Sequence, residues 1–185
     1  MKPILSIWFK PKETFDLLLE NINKDNNYLL IFYGIALTIA IPAVLVEKSL
    51  FELGIIYLIS LIFLGSFIGG LMLQYIWVYI FWIFGKILQG KADQKQIRVV
   101  LAYSILPFIF KSFIMLLRVI IKFGTEFSFK DIVLFDNLTN FILAVLYLRF
   151  FVIGLSKVQK FSYGYALINI LLPIIILGVL IYIIK

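Results

Sequence analysis

Inside the long apolar runs of this chain two side chains are ionisable, Lys111 and Arg149, and Tyr103, Ser104 and Pro107 precede the first of them. Ser104 with Lys111 is the arrangement nearest to a nucleophile and its base. Seven residues apart on a helix, the two share a face but stand about 10 Å apart, too far for a direct hydrogen bond. The chain has no His and no Cys. Its ten acidic residues, Glu13, Asp16, Glu20, Asp25, Glu47, Glu52, Asp93, Glu126, Asp131 and Asp136, all fall in loops or at the ends of the apolar runs. Zinc hydrolysis, aspartyl proteolysis and proton relay through a buried acid therefore lack their residues, and no phosphate-binding glycine loop is present. The expectation is a non-enzyme without metal or cofactor.

The chemistry left is that of a buried cation. Pro107 has no amide to offer the carbonyl of Tyr103, so it kinks its helix and turns Tyr103, Ser104 and Lys111 toward one polar interior. For Lys111 a functional contact there stands level with snorkelling or pairing with the freed carbonyl. Arg149 reads first as a snorkelling residue and second as a partner in the same interior. Gln74 and Asn169 add interhelical hydrogen bonds of about 0.6–2 kcal/mol each.

The elements that must hold these groups follow from composition. The chain has 185 residues, of which 63% are hydrophobic, a mean hydropathy of +1.09 and a net charge of +7. Globular chains are about half apolar, so lipid must solvate most of this one. Five segments reach the length of a spanning helix: Tyr28–Val46, Leu53–Phe84, Ile97–Ile121, Leu138–Leu155 and Tyr163–Ile184. An all-α integral membrane bundle of five transmembrane helices is predicted, since no alternating barrel pattern occurs. Segment two is long enough to be one tilted helix or two pieces broken near Gly65, Gly69 and Gly70. As a pair in an apolar helix, Gly69 and Gly70 read as a close-packing surface.

Charge distribution orients the bundle. With five spans, one side holds ten cations, Lys2, Lys10, Lys12, Lys24, Lys86, Lys91, Lys95, Arg98, Lys157 and Lys160, and the other holds five, Lys48, Arg118, Lys122, Lys130 and Lys185. Splitting segment two nearly abolishes this bias, so five spans with an inner N-terminus are favoured. The apolar stretch Ile4–Phe9 is too short for a signal-peptide core, which puts the mature start near Met1. Pro11 then opens a short amphipathic helix whose apolar face carries Phe15, Leu18, Leu19 and Ile22. It lies on the membrane surface, with Trp8, Phe9 and Phe15 as anchors and Lys86, Lys91, Lys95 and Arg98 against headgroups, or packs on the inner loops of the bundle. The outer stretch Gly124–Asp136 reads as an interfacial loop. Residues 1–27 form an N-terminal segment and residues 28–185 one transmembrane domain. The basic balance serves orientation and anionic lipid; nucleic acid is not an expected partner, because no basic stripe alternates with exposed aromatics.

The order of short motifs resembles the Yip1 domain family. It begins with Trp8-x-x-Pro11-x-x-x-Phe15 and continues with Phe84-Gly85-Lys86 closing a long second span. Ala102-Tyr103-Ser104-x-x-Pro107 then opens the third, and Gly154-Leu155-Ser156-Lys157-Val158-x-Lys160-Phe161-Ser162 ends the fourth, followed by Ala166 in the fifth. Gly90-Lys91-Ala92-Asp93 is sparser in glycine than the family's loop, and the long soluble N-terminal region of eukaryotic members is missing. The resemblance implies a cytosolic N-terminus, five helices and no catalysis, and the short N-terminal segment looks prokaryotic, hence an inner-membrane protein with its C-terminus outside. Rab binding is not carried over. The leading function is to organise lipids, anionic on the inner side, or partner membrane proteins, including a homo-oligomer. The alternative is a small-solute, anion or lipid transporter or channel, whose cavity would make Lys111 water-accessible and use Tyr103, Ser104, Pro107 and Arg149.

Overall fold

A computed structural model describes residues 3–22, 28, 31–34, 36, 55–110 and 129–184. The described residues are all-helical, without a strand. Two short helices come first, α1 (Pro3–Phe9) and α2 (Pro11–Glu20). Pro11 occupies the first turn of α2, where its missing amide leaves nothing unpaired. The hydroxyls of Ser6 and Thr14 lie 2.9 Å apart and tie the two helices into a hairpin.

Helix α3 (Ile55–Met72) runs into a π-helical turn (Leu73–Trp77) and on into α4 (Val78–Ile87). Segment two is thus continuous and passes through Gly65, Gly69 and Gly70 unbroken. Ser66, Gly70, Gln74 and Val78 are buried, each four residues after the last, and Phe81 and Gly85 continue the buried stripe into α4. Four residues overshoot an α-helical turn of 3.6, and the wider π turn absorbs the excess, keeping the buried stripe on one face. Gly69 and Gly70 admit a neighbouring helix: a Cβ on Gly69 would lie 3.3 Å from the Ala36 Cβ, and one on Gly70 within 2.6 Å of the Tyr33 ring.

Helix α5 (Gln94–Ser104) is the centre of the molecule. Asp93 caps it, its Oδ1 accepting from the Gln96 amide at 2.7 Å while Gln96 Oε1 accepts from the Asp93 amide at 3.1 Å. From Ile97 to Ser104 every residue except Arg98 is buried, as expected of a helix packed on all sides. The helix interrupts at Ile105 and resumes over 106–110, two residues ahead of Pro107. This is the break that proline chemistry demands, and the Phe108 amide turns back to the Ile105 carbonyl at 2.9 Å.

Helix α6 (Phe129–Gln159) begins within the stretch read as an outer loop, because no glycine or proline interrupts residues 129–153. Helix α7 (Tyr163–Ile184) buries Ala166, Asn169, Ile170 and Pro173, a stripe of helical spacing. α6 packs on α5, α7 and α2; α4 packs on α5 and α7. Among the described residues, three helices are long and apolar enough to cross a membrane: Ser60–Ile87, Asn137–Gln159 and Tyr163–Ile184.

Candidate functional site: the basic end of the bundle

Helices α4 and α6 end side by side, and each closes with the same device. At the end of α4, Gln89 takes a left-handed φ of 65°, the Gly90 amide donates to the Gly85 carbonyl at 2.7 Å, and the Gln89 amide donates to the Lys86 carbonyl at 2.9 Å. At the end of α6, Lys160 has φ 58°, and Phe161 and Lys160 donate to the carbonyls of Ser156 and Lys157 at 3.0 and 3.4 Å. Both are Schellman caps, which satisfy carbonyls that a helix end leaves bare. One side chain locks them together. Gln159 is fully buried; its Oε1 accepts from the Ala92 amide at 3.1 Å, and its own carbonyl accepts from the Lys91 amide at 3.3 Å. A Cβ at Gly85 or Gly90 would overlap its carboxamide, so both positions need glycine for space.

The α1–α2 hairpin rests on this end. Phe15 is completely buried, near Val100 and Gly154, where an added Cβ would lie 2.5 Å from Val100 Cγ1 and 3.0 Å from Phe15 Cζ. Lys157 reaches across to pair with Asp16 and to donate to the Lys12 carbonyl at 2.8 Å. Trp8 meets Phe110 and Phe150 edge-on at 5.4 and 5.9 Å between centroids. Phe15, and in part Trp8, therefore serve packing: the hairpin's inner face follows the bundle-docked alternative. Phe9, by contrast, is 82% exposed, and α1 carries no charge. With Phe150 nine residues before the end of α6, Trp8 lies about 13 Å along the span from that end. α1 is uncharged, while α2 carries Lys12, Glu13, Asp16 and Glu20.

Lys12, Lys86, Lys91, Lys95, Lys157 and Lys160 all collect here. Glu13 is taken by Lys10 at 3.0 Å and Asp16 by Lys157. Among the described residues, Lys12, Lys91 and Lys160 have no acidic partner. Lys86 donates to the Gly90 carbonyl at 3.3 Å. Arg98 is half-buried, with its guanidinium 5.3 Å from the centre of the Tyr75 ring. The result is a positively charged end with outward apolar side chains at Ile4, Leu5, Phe9 and Leu17.

The intramembrane residues divide. Tyr103, Ser104 and Pro107 are buried together, and the Ser104 hydroxyl donates to the Val100 carbonyl at 2.7 Å, spending its proton within its own helix. Lys111 lies outside the described residues, and with it the transporter reading that turns on it. Arg149 is not in that interior: it is exposed on α6, and among the described residues it has no ion pair or hydrogen bond. An unpaired arginine facing hydrocarbon costs about 2.5–3.5 kcal/mol on insertion scales. It lines a groove of about 620 Å³ between α6 and α7, with Lys12 at the same groove and 5.5 Å from the Tyr163 ring centre. Asn169 is fully buried, with no partner for its Oδ1 or Nδ2 among the described residues.

Sequence reasoning missed Gln159, which occupied the unassigned position in the Gly154–Ser162 motif. The two glycines five residues apart, Gly85 and Gly90, were its signal, since they leave a pocket for a side chain from elsewhere in the chain.

A helical bundle with three long apolar helices and a basic, capped end defines an integral membrane protein of the polytopic class. The family model of the Yip1 domain matches residues 5–184, and the chain belongs to that family. No curated protein and no solved structure matches it significantly.

Proposed function

We propose that this chain is a non-enzymatic membrane protein that gathers anionic lipid, and through it partner proteins, at its basic end. The observation that carries the reading is the pairing of uncompensated Lys12, Lys91 and Lys160 with the outward apolar residues of the α1–α2 hairpin. Anionic headgroups attract each such cation by about 1 kcal/mol, and the apolar residues hold the hairpin at the depth where that attraction acts. The remaining two spans of a five-span bundle are residues 28–46 and 97–121, and the excess of cations at the basic end sets that end in the cytoplasm of a prokaryotic cell, at its inner membrane. Homo-oligomers fit the same reading, with lipid between copies.

Trp8, Trp77 and Trp82 are each half-buried and report on adjacent lipid. In reconstituted vesicles, brominated phosphatidylglycerol is expected to quench them at least about twofold more effectively than brominated phosphatidylcholine, the ratio falling toward one when Lys86, Lys91, Lys95 and Lys160 are all changed to Gln. Equal quenching of the wild-type protein by both lipids would remove the proposal.

A further inference from the structure

The groove between α6 and α7 is apolar along its length and charged at two points, and among the described residues neither charge has a counterion. Leu148 and Val152 on α6 face Leu167 on α7 across it. Gly164 widens it: a Cβ there would meet nothing nearer than Ser162 Oγ at 3.9 Å, so the space is open rather than sterically required. Lys12 stands where α2 crosses the top, beside Tyr163; Arg149 lies ten residues before the end of α6, about 15 Å further along the helix. The acids that stand near Lys12 on its own helix are engaged, Glu13 by Lys10 and Asp16 by Lys157. The first turn of α7 opens at the same place and adds the positive end of a helix dipole.

We infer that this groove binds one anionic glycerophospholipid, its phosphate on Arg149, its polar headgroup extending toward Lys12, and its apolar part laid against Leu148, Val152 and Leu167. Charge decides the headgroup: a zwitterionic lipid brings its own cation and leaves the two positive charges uncompensated, whereas the single negative charge of phosphatidylglycerol halves that excess. Arg149 suits the task because its planar fork makes two parallel hydrogen bonds to a phosphate. Shape decides that the ligand is a lipid and not free phosphate, since most of the groove wall is apolar. This rests on the lipid-gathering reading but is narrower, naming one tightly held molecule rather than a charged annulus.

The test is native mass spectrometry of the detergent-purified full-length chain with phosphatidylglycerol, phosphatidylcholine or inorganic phosphate added. The wild-type protein is expected to retain one phosphatidylglycerol, and Arg149→Gln to lower its apparent affinity about tenfold or more, as loss of a charge-assisted bidentate contact implies. Arg149→Lys, which keeps the charge without the fork, is expected to fall between the two. Gly164→Leu, which fills the open floor, should weaken binding whatever the headgroup, while Lys10→Gln, whose charge Glu13 already neutralises, should not. Monodisperse elution of each variant shows that it has folded. Unchanged retention in Arg149→Gln, equal retention of phosphatidylcholine, or displacement of the lipid by inorganic phosphate would each overturn the inference. If lipid selectivity by tryptophan quenching survives any of these results, the groove fails alone; if both signals vanish, the broader reading fails with it.

Discussion

Replacing Gly85 by Ala places a methyl group where the Gln159 carboxamide lies; the three nearest atoms to that methyl are all from this one side chain. Forcing the carboxamide aside is an overpacking of about 1–3 kcal/mol, against which the better helix propensity of Ala returns at most about 1 kcal/mol. Gly85→Ala should therefore destabilise. Gln159→Ala alone strips the Ala92 amide of its acceptor and costs about 1–3 kcal/mol. In the double variant the obstacle is gone, so the Gly85 methyl becomes neutral or mildly stabilising, and the two changes should couple by about 1–3 kcal/mol. Gly90→Ala provides the contrast, because its methyl would also stand 2.8 Å from the Gly85 carbonyl oxygen, which Gln159→Ala does not move. Its cost should persist in the Gln159→Ala background. Unfolding of the detergent-purified protein by titration with SDS measures all five variants. Additivity of Gly85→Ala and Gln159→Ala within about 0.5 kcal/mol would refute the clasp.

Other substitutions probe the same framework. Gly154→Ala, which sets a methyl 2.5 Å from Val100 Cγ1, should destabilise by about 1–3 kcal/mol and release the α2 contact, read as faster proteolysis of the N-terminal hairpin. Asn169→Leu should be neutral or stabilising by about 1–3 kcal/mol in the same titration, because the buried amide makes no hydrogen bond among the described residues; a clear loss of stability would show that the amide has a partner. Asp93→Ala removes the cap of α5 and should cost about 0.5–2 kcal/mol in melting experiments, with Asp93→Asn largely restoring it.

The membrane class was legible because hydrocarbon requires long apolar helices, and the sequence contains them with charges set between. Pro107 announced its break for an equally local reason. The pair Gly69 and Gly70 was legible as a packing surface, since lack of a side chain has a fixed meaning against a neighbouring helix. Phe15 was harder: its helical face was readable, but an apolar face does not say whether lipid or protein will cover it, and here Val100 and Gly154 do. Gln159 was not legible, because its role depends on Gly85, Gly90 and Ala92, all some seventy residues earlier in the chain. Arg149 shows the same limit, since its exposure in a groove shared with Lys12 is a product of how α2 lies across α6 and α7.

The lipid reading stands on one geometric claim, that the α1–α2 end of the bundle lies in the membrane surface with Phe9 turned into lipid. The chain has no cysteine, so a nitroxide on Phe9→Cys is a unique label, placed on a side chain that is 82% exposed and engaged in none of the described packing. Power saturation in phosphatidylglycerol vesicles is predicted to show collisions dominated by oxygen over the water-soluble nickel complex, corresponding to a depth of about 5–10 Å below the headgroups. Collisions dominated by the nickel complex, as expected for a label at Lys91→Cys, would contradict the account.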